Sequence, residues 1–334
     1  MAKIISIVVP VFQNETNLHT TIPTLMGLAQ LLNGYQLELV MVDDGSRDRS
    51  CEILVSYAEK FPTHMTVVKL TRNFGQVPAI QAGLRHASGD CVGIISADLQ
   101  EPWEALIEMV HAWERGGKFI IGERLERAEQ WWHRTTSGIY WYLVRRFAFP
   151  DYPTMGYDFC LLDRQIVTEL NRINEKNTSI FVLAYWLGYK PVRVPIKRCL
   201  RERGVSQWSF FRKVGFTIDM LIGFTYLPAR SITAMGFAIA LGSLLYLSFA
   251  LVQWYRLGTA PLGWMTVVGL LTLLGASILV AIGILSEYLL RILDEARKRP
   301  PYVIECVVRG DNCGMSPGDG EMVTAFEREP RREL

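Results

Sequence analysis

The sequence contains no G-x-G-x-x-G and no G-x-x-x-x-G-K-[S/T]. Dinucleotide binding through a glycine-rich turn and phosphate binding through a P-loop therefore lose their main support. No Cys-x-x-Cys pair occurs among the six cysteines (Cys51, Cys91, Cys160, Cys199, Cys306 and Cys313), which argues against a zinc site or a redox dithiol. Several of them lie in apolar runs, as reduced, buried thiols of a cytosolic domain do. Neither sign of charge is in excess. A net charge of +2 over 334 residues gives no field that would draw the chain to nucleic acid. The start does not read as a signal peptide, because Met1-Ala2-Lys3 runs straight into the β-branched stretch IISIVVPVF.

Charge is also missing from two long stretches. No residue from Ser231 to Tyr255 is charged, and none from Leu257 to Ser286. Each stretch is long enough to cross a bilayer as a helix, and only a short connection around Arg256 separates them. A single such run also suits a buried core helix; two in succession favour a transmembrane hairpin. Arg230 precedes the first run, and Arg291, Arg297, Lys298 and Arg299 follow the second. This bias puts both termini in the cytoplasm. Trp254, Tyr255 and Trp264 fit an aromatic belt at the opposite interface.

What is present in the first 200 residues has a different rhythm. Apolar runs recur as IISIVVPVF, LELVMVDD, MTVVKLT, CVGIISAD and KFIIGER. Helix-like segments separate most of them, the first with Thr16 as its expected N-cap. Near-continuous apolar strands alternating with helices predict a parallel sheet covered on both faces. Ligands of such sheets bind beyond the C-terminal strand ends. Asp43-Asp44 closes one run and Asp98 another. With no phosphate loop available, a hard divalent cation is the expected means of neutralising phosphate, and Mg²⁺ and Mn²⁺ take oxygen ligands. Asp98 and Gln100 are the candidate ligands. Each acid also has a bland reading: Asp44-Gly45 suits a turn, and Asp98 suits a turn or a helix N-cap before Glu101-Pro102.

The ordered set SIVVPVFQNETNL, VMVDDGSRDRS, LTRNFGQVPAIQAGLRHASGD, ISADLQEP, GYDFCLLDR and RGVSQW resembles family 2 glycosyltransferases that act on polyprenyl phosphates. Relatives of that kind include dolichol-phosphate mannose synthase and the bacterial undecaprenyl-phosphate sugar transferases. The resemblance covers about residues 4 to 304. It implies a GT-A fold, an α/β domain with a doubly covered, mostly parallel sheet, followed by a C-terminal two-helix transmembrane hairpin. The implied division is 1–205 for the catalytic domain, 206–230 for amphipathic juxtamembrane helices, 231–290 for the two spans, and 291–334 for a cytoplasmic tail, flexible at its end.

The resemblance also implies roles, residue by residue. Pro10, Phe12 and Asn14 sit where the family's first loop meets the nucleotide base, with Gln13-Asn14 in place of the usual Asn-Glu. Asp43 and Asp44 match the acids at the nucleoside, and Asp98 joins them at the donor. The usual D-A-D-L-Q reads Ser96-Ala97-Asp98-Leu99-Gln100 here. One carboxylate is thus missing from the Mg²⁺ or Mn²⁺ site formed by Asp98 and Gln100, so the cation is expected to arrive with the donor. Arg124 and Arg127 match an arginine pair at the donor phosphates. Arg198, Arg201 and Ser206 match groups at the lipid phosphate, with Gln207 where lysine is common. Asp158 matches the acid beside the acceptor, as general base or orienting group, whereas Asp163 reads as a pair for Arg164 or a helix cap.

The implied reaction is inverting transfer of a sugar from a nucleoside-diphosphate sugar, UDP before GDP, to undecaprenyl or dolichyl phosphate. It would take place at the cytoplasmic face of the inner membrane, in a multi-pass protein of the cell-envelope glycan type. A homo-oligomer is implied, with a tetramer as the candidate state. Two other readings stand beside it: a polysaccharide synthase, which should carry a Q-x-x-R-W motif and more spans, and a non-catalytic membrane scaffold built on a degenerate transferase domain.

Overall fold

The computed structural model describes residues 2–32, 34–124, 145–146, 149, 151–153, 157–173, 179–197, 227–257 and 263–309. The chain divides into two units. One comprises Met1–Tyr142, Asp151–Gln207 and Pro300–Leu334, and the other Leu143–Pro150 and Trp208–Arg299.

The first unit is built on an eight-stranded sheet in the order β7-β5-β6-β4-β1-β2-β3-β8. The five apolar runs form β1 (Lys3–Val11), β2 (Tyr35–Asp43), β3 (Met65–Leu70), β4 (Cys91–Ile94) and β5 (Phe119–Arg124). β1 pairs in parallel with β2 and β4, β2 with β3, and β5 with β7 (Pro191–Ile196). β6 (Cys160–Asp163) is antiparallel to both β4 and β5, and β8 (Ile304–Arg309) is antiparallel to β3. The sheet is therefore mostly parallel, as expected.

Helices α1 (Glu15–Leu31), α2 (Ser50–Lys60), α3 (Gln76–His86) and α4 (Ala105–Glu114) follow β1 to β4, and α5 (Arg164–Arg172) and α6 (Ile180–Trp186) follow β6. Ile5, Ile7, Val9 and Val11 of β1 share one core with Leu18, Ile22, Leu25 and Leu28 of α1, Leu54 of α2 and Met109 of α4. Each such fully buried aliphatic side chain stabilises by roughly 1.5–3 kcal/mol. The alternate residues of the strands face α3. A Cβ on Gly83 would lie 2.3 Å from Val8 Cγ1 and 3.1 Å from Val42 Cγ2, so only glycine lets α3 sit this close to the sheet.

Thr16 lies inside the first turn of α1, whose cap is Asn14. The start is set two residues earlier than expected because the backbone of Gln13, Asn14 and Glu15 is bonded to the segment after β2, as detailed below. Asp163 caps α5, accepting from the Gln165 N–H, and its other oxygen accepts from Trp113 Nε1 at 2.8 Å. The segment read as tail, 291–334, includes β8, which completes the sheet beside β3.

The second unit contains α7 (Leu227–Leu257) and α8 (Trp264–Ala296). Among the described residues, Gly269–Leu290 is the one stretch long and apolar enough to cross a membrane, and Arg230–Tyr246 is a shorter apolar one. Large apolar side chains stand outward on both helices, Phe237 at 74% exposure and Leu279 at 71%, which water does not favour.

Candidate functional site

The C-terminal ends of β1, β2, β4 and β5 lie at one end of the sheet, and β6 begins there because it runs the opposite way. Pro10, Phe12 and Asn14 follow or end β1. Asp43 and Asp44 end β2, Asp98 follows β4, Arg124 ends β5, and Asp158 precedes β6. The fold thus gathers eight of the residues named from sequence, and Gln100 with them. Arg127, Arg198, Arg201 and Ser206 lie outside the described residues, as do residues 206–226 of the juxtamembrane stretch.

The first loop is held by the second. Gln13, at φ 48°, donates its backbone N–H to Ser46 Oγ at 3.0 Å, Asn14 to Ser50 Oγ at 3.0 Å, and Glu15 to Asp48 Oδ2 at 3.3 Å. The Arg49 N–H returns a bond to Glu15 Oε2. The Asn14 side chain accepts from Asn17 Nδ2 at 2.6 Å. The loop that resembles a base-binding segment is therefore fixed before any ligand arrives.

Asp43 and Asp44 are both buried but are not equivalent. Asp44 Oδ1 accepts from the Phe74 N–H at 2.7 Å and Oδ2 from the Gly75 N–H at 2.8 Å. It thereby holds the turn that leads into α3. Asp43 Oδ1 accepts from the Ser46 N–H at 3.2 Å, while Oδ2 is buried with no hydrogen-bond partner among the described residues. Burial pushes the Asp44 carboxyl up to about 6, against the pull of its two backbone donors. Burial also raises Asp43, opposed by its bonds to Ser46. A buried carboxylate oxygen left unmatched costs free energy in the unliganded chain.

Gly45 makes this turn possible. It sits at φ +67°, and a Cβ there would lie 2.4 Å from the Arg72 carbonyl carbon.

The second half of the site surrounds Asp98. The segment after β4 turns back on itself, with the Leu99 N–H bonded to the Ser96 carbonyl and Leu99 at φ 47°. A left-handed non-glycine residue of this kind is uncommon and clusters at functional sites. The turn brings four side chains together. Ser96 Oγ lies 2.7 Å from Asp98 Oδ1 and 2.6 Å from Glu101 Oε2. Its one proton serves two carboxylates. Gln100 Nε2 donates to Asp98 Oδ2 at 2.8 Å.

Glu101 was read from sequence only as part of a helix start, yet α4 begins at Ala105 and Glu101 is 1% exposed. Its Oε1 lies 3.7 Å from Arg124 Nη2. The same Nη2 donates to Asp158 Oδ1 at 2.5 Å and Oδ2 at 2.6 Å. Sequence reasoning missed Glu101 because an acid before proline is an ordinary helix-start signal; the only clue was its position five residues after the serine that replaces an acid.

The groups around Asp98 are hydroxyl, carboxylate and amide, the hard oxygen chemistry that suits Mg²⁺ or Mn²⁺. Among the described residues no three His, Cys, Asp or Glu side chains form a group able to hold a metal by themselves. The donor set fits a cation that takes part of its coordination from a substrate diphosphate.

Comparison with known proteins places the chain among relatives. A family model described as glycosyl transferase family 2 matches residues 6–170. An uncharacterized glycosyltransferase, YkcC of Bacillus subtilis (strain 168), is 31% identical over 302 residues, 90% of this chain and 93% of that protein. An undecaprenyl-phosphate 4-deoxy-4-formamido-L-arabinose transferase of Photorhabdus laumondii subsp. laumondii is 33% identical over 316 residues, 93% and 95% of the two chains. The bactoprenol glucosyl transferase of Shigella phage SfV is 30% identical over 302 residues, 90% and 98%.

Proposed function

The chain belongs to glycosyl transferase family 2, and from that premise we propose that it moves a sugar from a nucleoside-diphosphate donor, UDP before GDP, onto a polyprenyl phosphate with inversion at the anomeric carbon. The observation that carries this reading is the meeting of Asp98, Arg124 and Asp158 at the C-terminal end of the sheet, with Arg124 in contact with Asp158. The names of two relatives, an undecaprenyl-phosphate transferase and a bactoprenol glucosyl transferase, support a lipid phosphate as acceptor.

The roles follow from the chemistry of each group. The base and ribose lie against Pro10, Phe12, Asn14 and Asp43, whose unmatched Oδ2 is the acceptor left over for a nucleoside donor group. Asp44, each of whose oxygens accepts one backbone N–H and keeps a further lone pair, stands beside Asp43 at the nucleoside. Asp98 and Gln100 would hold the divalent cation, which would supply charge neutralisation at the departing diphosphate. Arg124, with Arg127, faces the same diphosphate, because a guanidinium bonds two phosphate oxygens at once. Asp158 orients the acceptor. A phosphate monoester is already anionic near neutral pH, so little proton abstraction is required of Asp158. Arg198, Arg201 and Ser206 receive the lipid phosphate.

Chain connectivity supports a two-span anchor. The chain leaves the sheet after β7 and returns to the same sheet as β8. Any excursion through a membrane between those strands must cross an even number of times. Gly269–Leu290 supplies one crossing, and the apolar part of α7 supplies the other. The basic residues at Arg230 and 297–299 put the sheet in the cytoplasm.

The test is a transfer assay. Membranes carrying the full chain are incubated with labelled UDP- and GDP-sugars and the lipid is extracted. Label in the lipid that disappears with Asp98→Ala supports the proposal; lipid with no label from any sugar overturns it.

A further inference from the structure

Glu101 lies in the path between the donor and acceptor halves of the site. Its carboxylate is held at one end by Ser96, which also touches Asp98. The other end faces Arg124, whose guanidinium bonds Asp158. The three partners differ in freedom. The Glu101 side chain is 2% exposed, that of Arg124 17% and that of Asp158 38%. Glu101 is the fixed member, and Asp158 is the one open to solvent and to an incoming acceptor. As the chain stands, Arg124 and Asp158 occupy each other, so neither is disposed toward a substrate phosphate.

We propose that Glu101 is a positioning residue, a fixed carboxylate on which Arg124 pivots from Asp158 toward the donor diphosphate, releasing Asp158 for the acceptor. This rests on the transferase reading above. The physical reason is competition. A guanidinium between two carboxylates is shared by them, and a diphosphate with its cation offers a third, stronger partner. Glu101 weakens the hold of Asp158 while keeping the half-buried guanidinium from having to cross the site uncompensated. Without the Glu101 charge, Asp158 is the one carboxylate left against Arg124 among the described residues, and each turnover must break that pair in full. No bond is made or broken by Glu101 in this scheme, and it touches neither substrate.

The variant that isolates the charge is Glu101→Gln, which keeps the shape and can still accept from Ser96. In the full chain, kcat falls about ten- to a hundredfold, and the KM for the donor changes less than threefold. In an Asp158→Asn background, where the competing carboxylate is gone, Glu101→Gln changes kcat less than threefold further. A readout independent of turnover is UDP affinity in the presence of Mn²⁺, by calorimetry, which stays within threefold in Glu101→Gln. Multiplicative effects in the double variant, a tenfold loss of nucleotide affinity, or a lowered Tm with kcat unchanged would each overturn the pivot.

A structure of the wild-type chain with UDP and Mn²⁺ gives the direct view. Arg124 is expected to have left Asp158 and to remain beside Glu101; Arg124 still on Asp158 with nucleotide bound defeats the inference. A wild-type chain that binds neither UDP nor GDP defeats the transferase reading instead, so the two failures are told apart.

Discussion

One nitrogen of Arg124 bonds both oxygens of Asp158, at 2.5 and 2.6 Å, although the two residues are 34 positions apart. The last residue of β5 and a residue two positions before β6 meet because those strands are antiparallel neighbours. Asp158→Asn keeps the shape and removes the charge. Its kcat should fall by about a hundredfold, in the range usual for a lost orienting or general-base group. Donor KM should stay within a few-fold. Initial rates of label entering lipid, at varied donor, check both.

Asp43 carries a stability cost, and the nucleoside proposed above is expected to relieve it. Replacing Asp43 by Asn removes a buried carboxylate whose Oδ2 lacks a hydrogen-bond partner. Unfolding free energy at pH 7 should rise by about 1 kcal/mol, while nucleotide affinity falls at least tenfold. The gain should shrink as pH falls, because burial raises the Asp43 pKa and the wild-type group then becomes neutral too. Denaturant unfolding in detergent at several pH values, with nucleotide titrations, measures both sides.

Asp44 gives a pH dependence of its own. Its folded pKa of about 6 lies above the ordinary carboxylate value of 3.8. Between those values the folded chain holds a proton that the unfolded chain releases. The group's penalty is therefore full above pH 6, declines as pH falls through the window, and is gone below the unfolded value. In Asp44→Asn this contribution is absent. The stability of wild type relative to Asp44→Asn should rise by on the order of 2 kcal/mol between pH 7 and pH 4. A flat difference across that range would contradict the assignment.

Ser96→Asp restores the carboxylate that the D-A-D-L-Q pattern would place there. Ser96 Oγ lies within 2.7 Å of carboxylate oxygens on Asp98 and Glu101, so a third carboxylate meets two like charges. The variant should have a lower Tm than wild type in chelator. Mn²⁺ should raise its Tm more than it raises that of wild type, and Mn²⁺ affinity without nucleotide should increase about tenfold. Thermal melts with and without Mn²⁺ and a metal titration decide it.

Gly45→Ala tests the turn that follows β2. The left-handed φ of +67° and the 2.4 Å approach to Arg72 should together cost about 3 kcal/mol or more. A thermal melt reads the loss.

The residues that carried the fold in the sequence are those whose neighbours lie nearby. β1 to β5 were legible as apolar runs, and their order with intervening helices implied the parallel sheet. β6 is only four residues long, and its apolar Cys160-Leu161-Leu162 has no period to read. β8 pairs with β3 more than 230 residues upstream, a relation that no local pattern encodes. The site behaved in the same way. Asp98, Arg124 and Asp158 could be named from motifs, but their contacts could not. Asp43 and Asp44 are adjacent and chemically alike; what separates them is two backbone donors from Phe74 and Gly75. Glu101 was hidden because the turn at Leu99, in a conformation that few leucines adopt, decides where its side chain goes.

The position of β8 sets an order on biosynthesis. A ribosome delivers β3 early, yet the strand that covers its outer edge is made only after both apolar helices have emerged. Until then the catalytic domain exposes a row of unsatisfied backbone groups on β3, the kind of edge that recruits foreign strands. Synthesis of both helices must therefore come before the sheet is closed. A chain stalled or cut before Ile304 would be left with a sticky, half-finished domain.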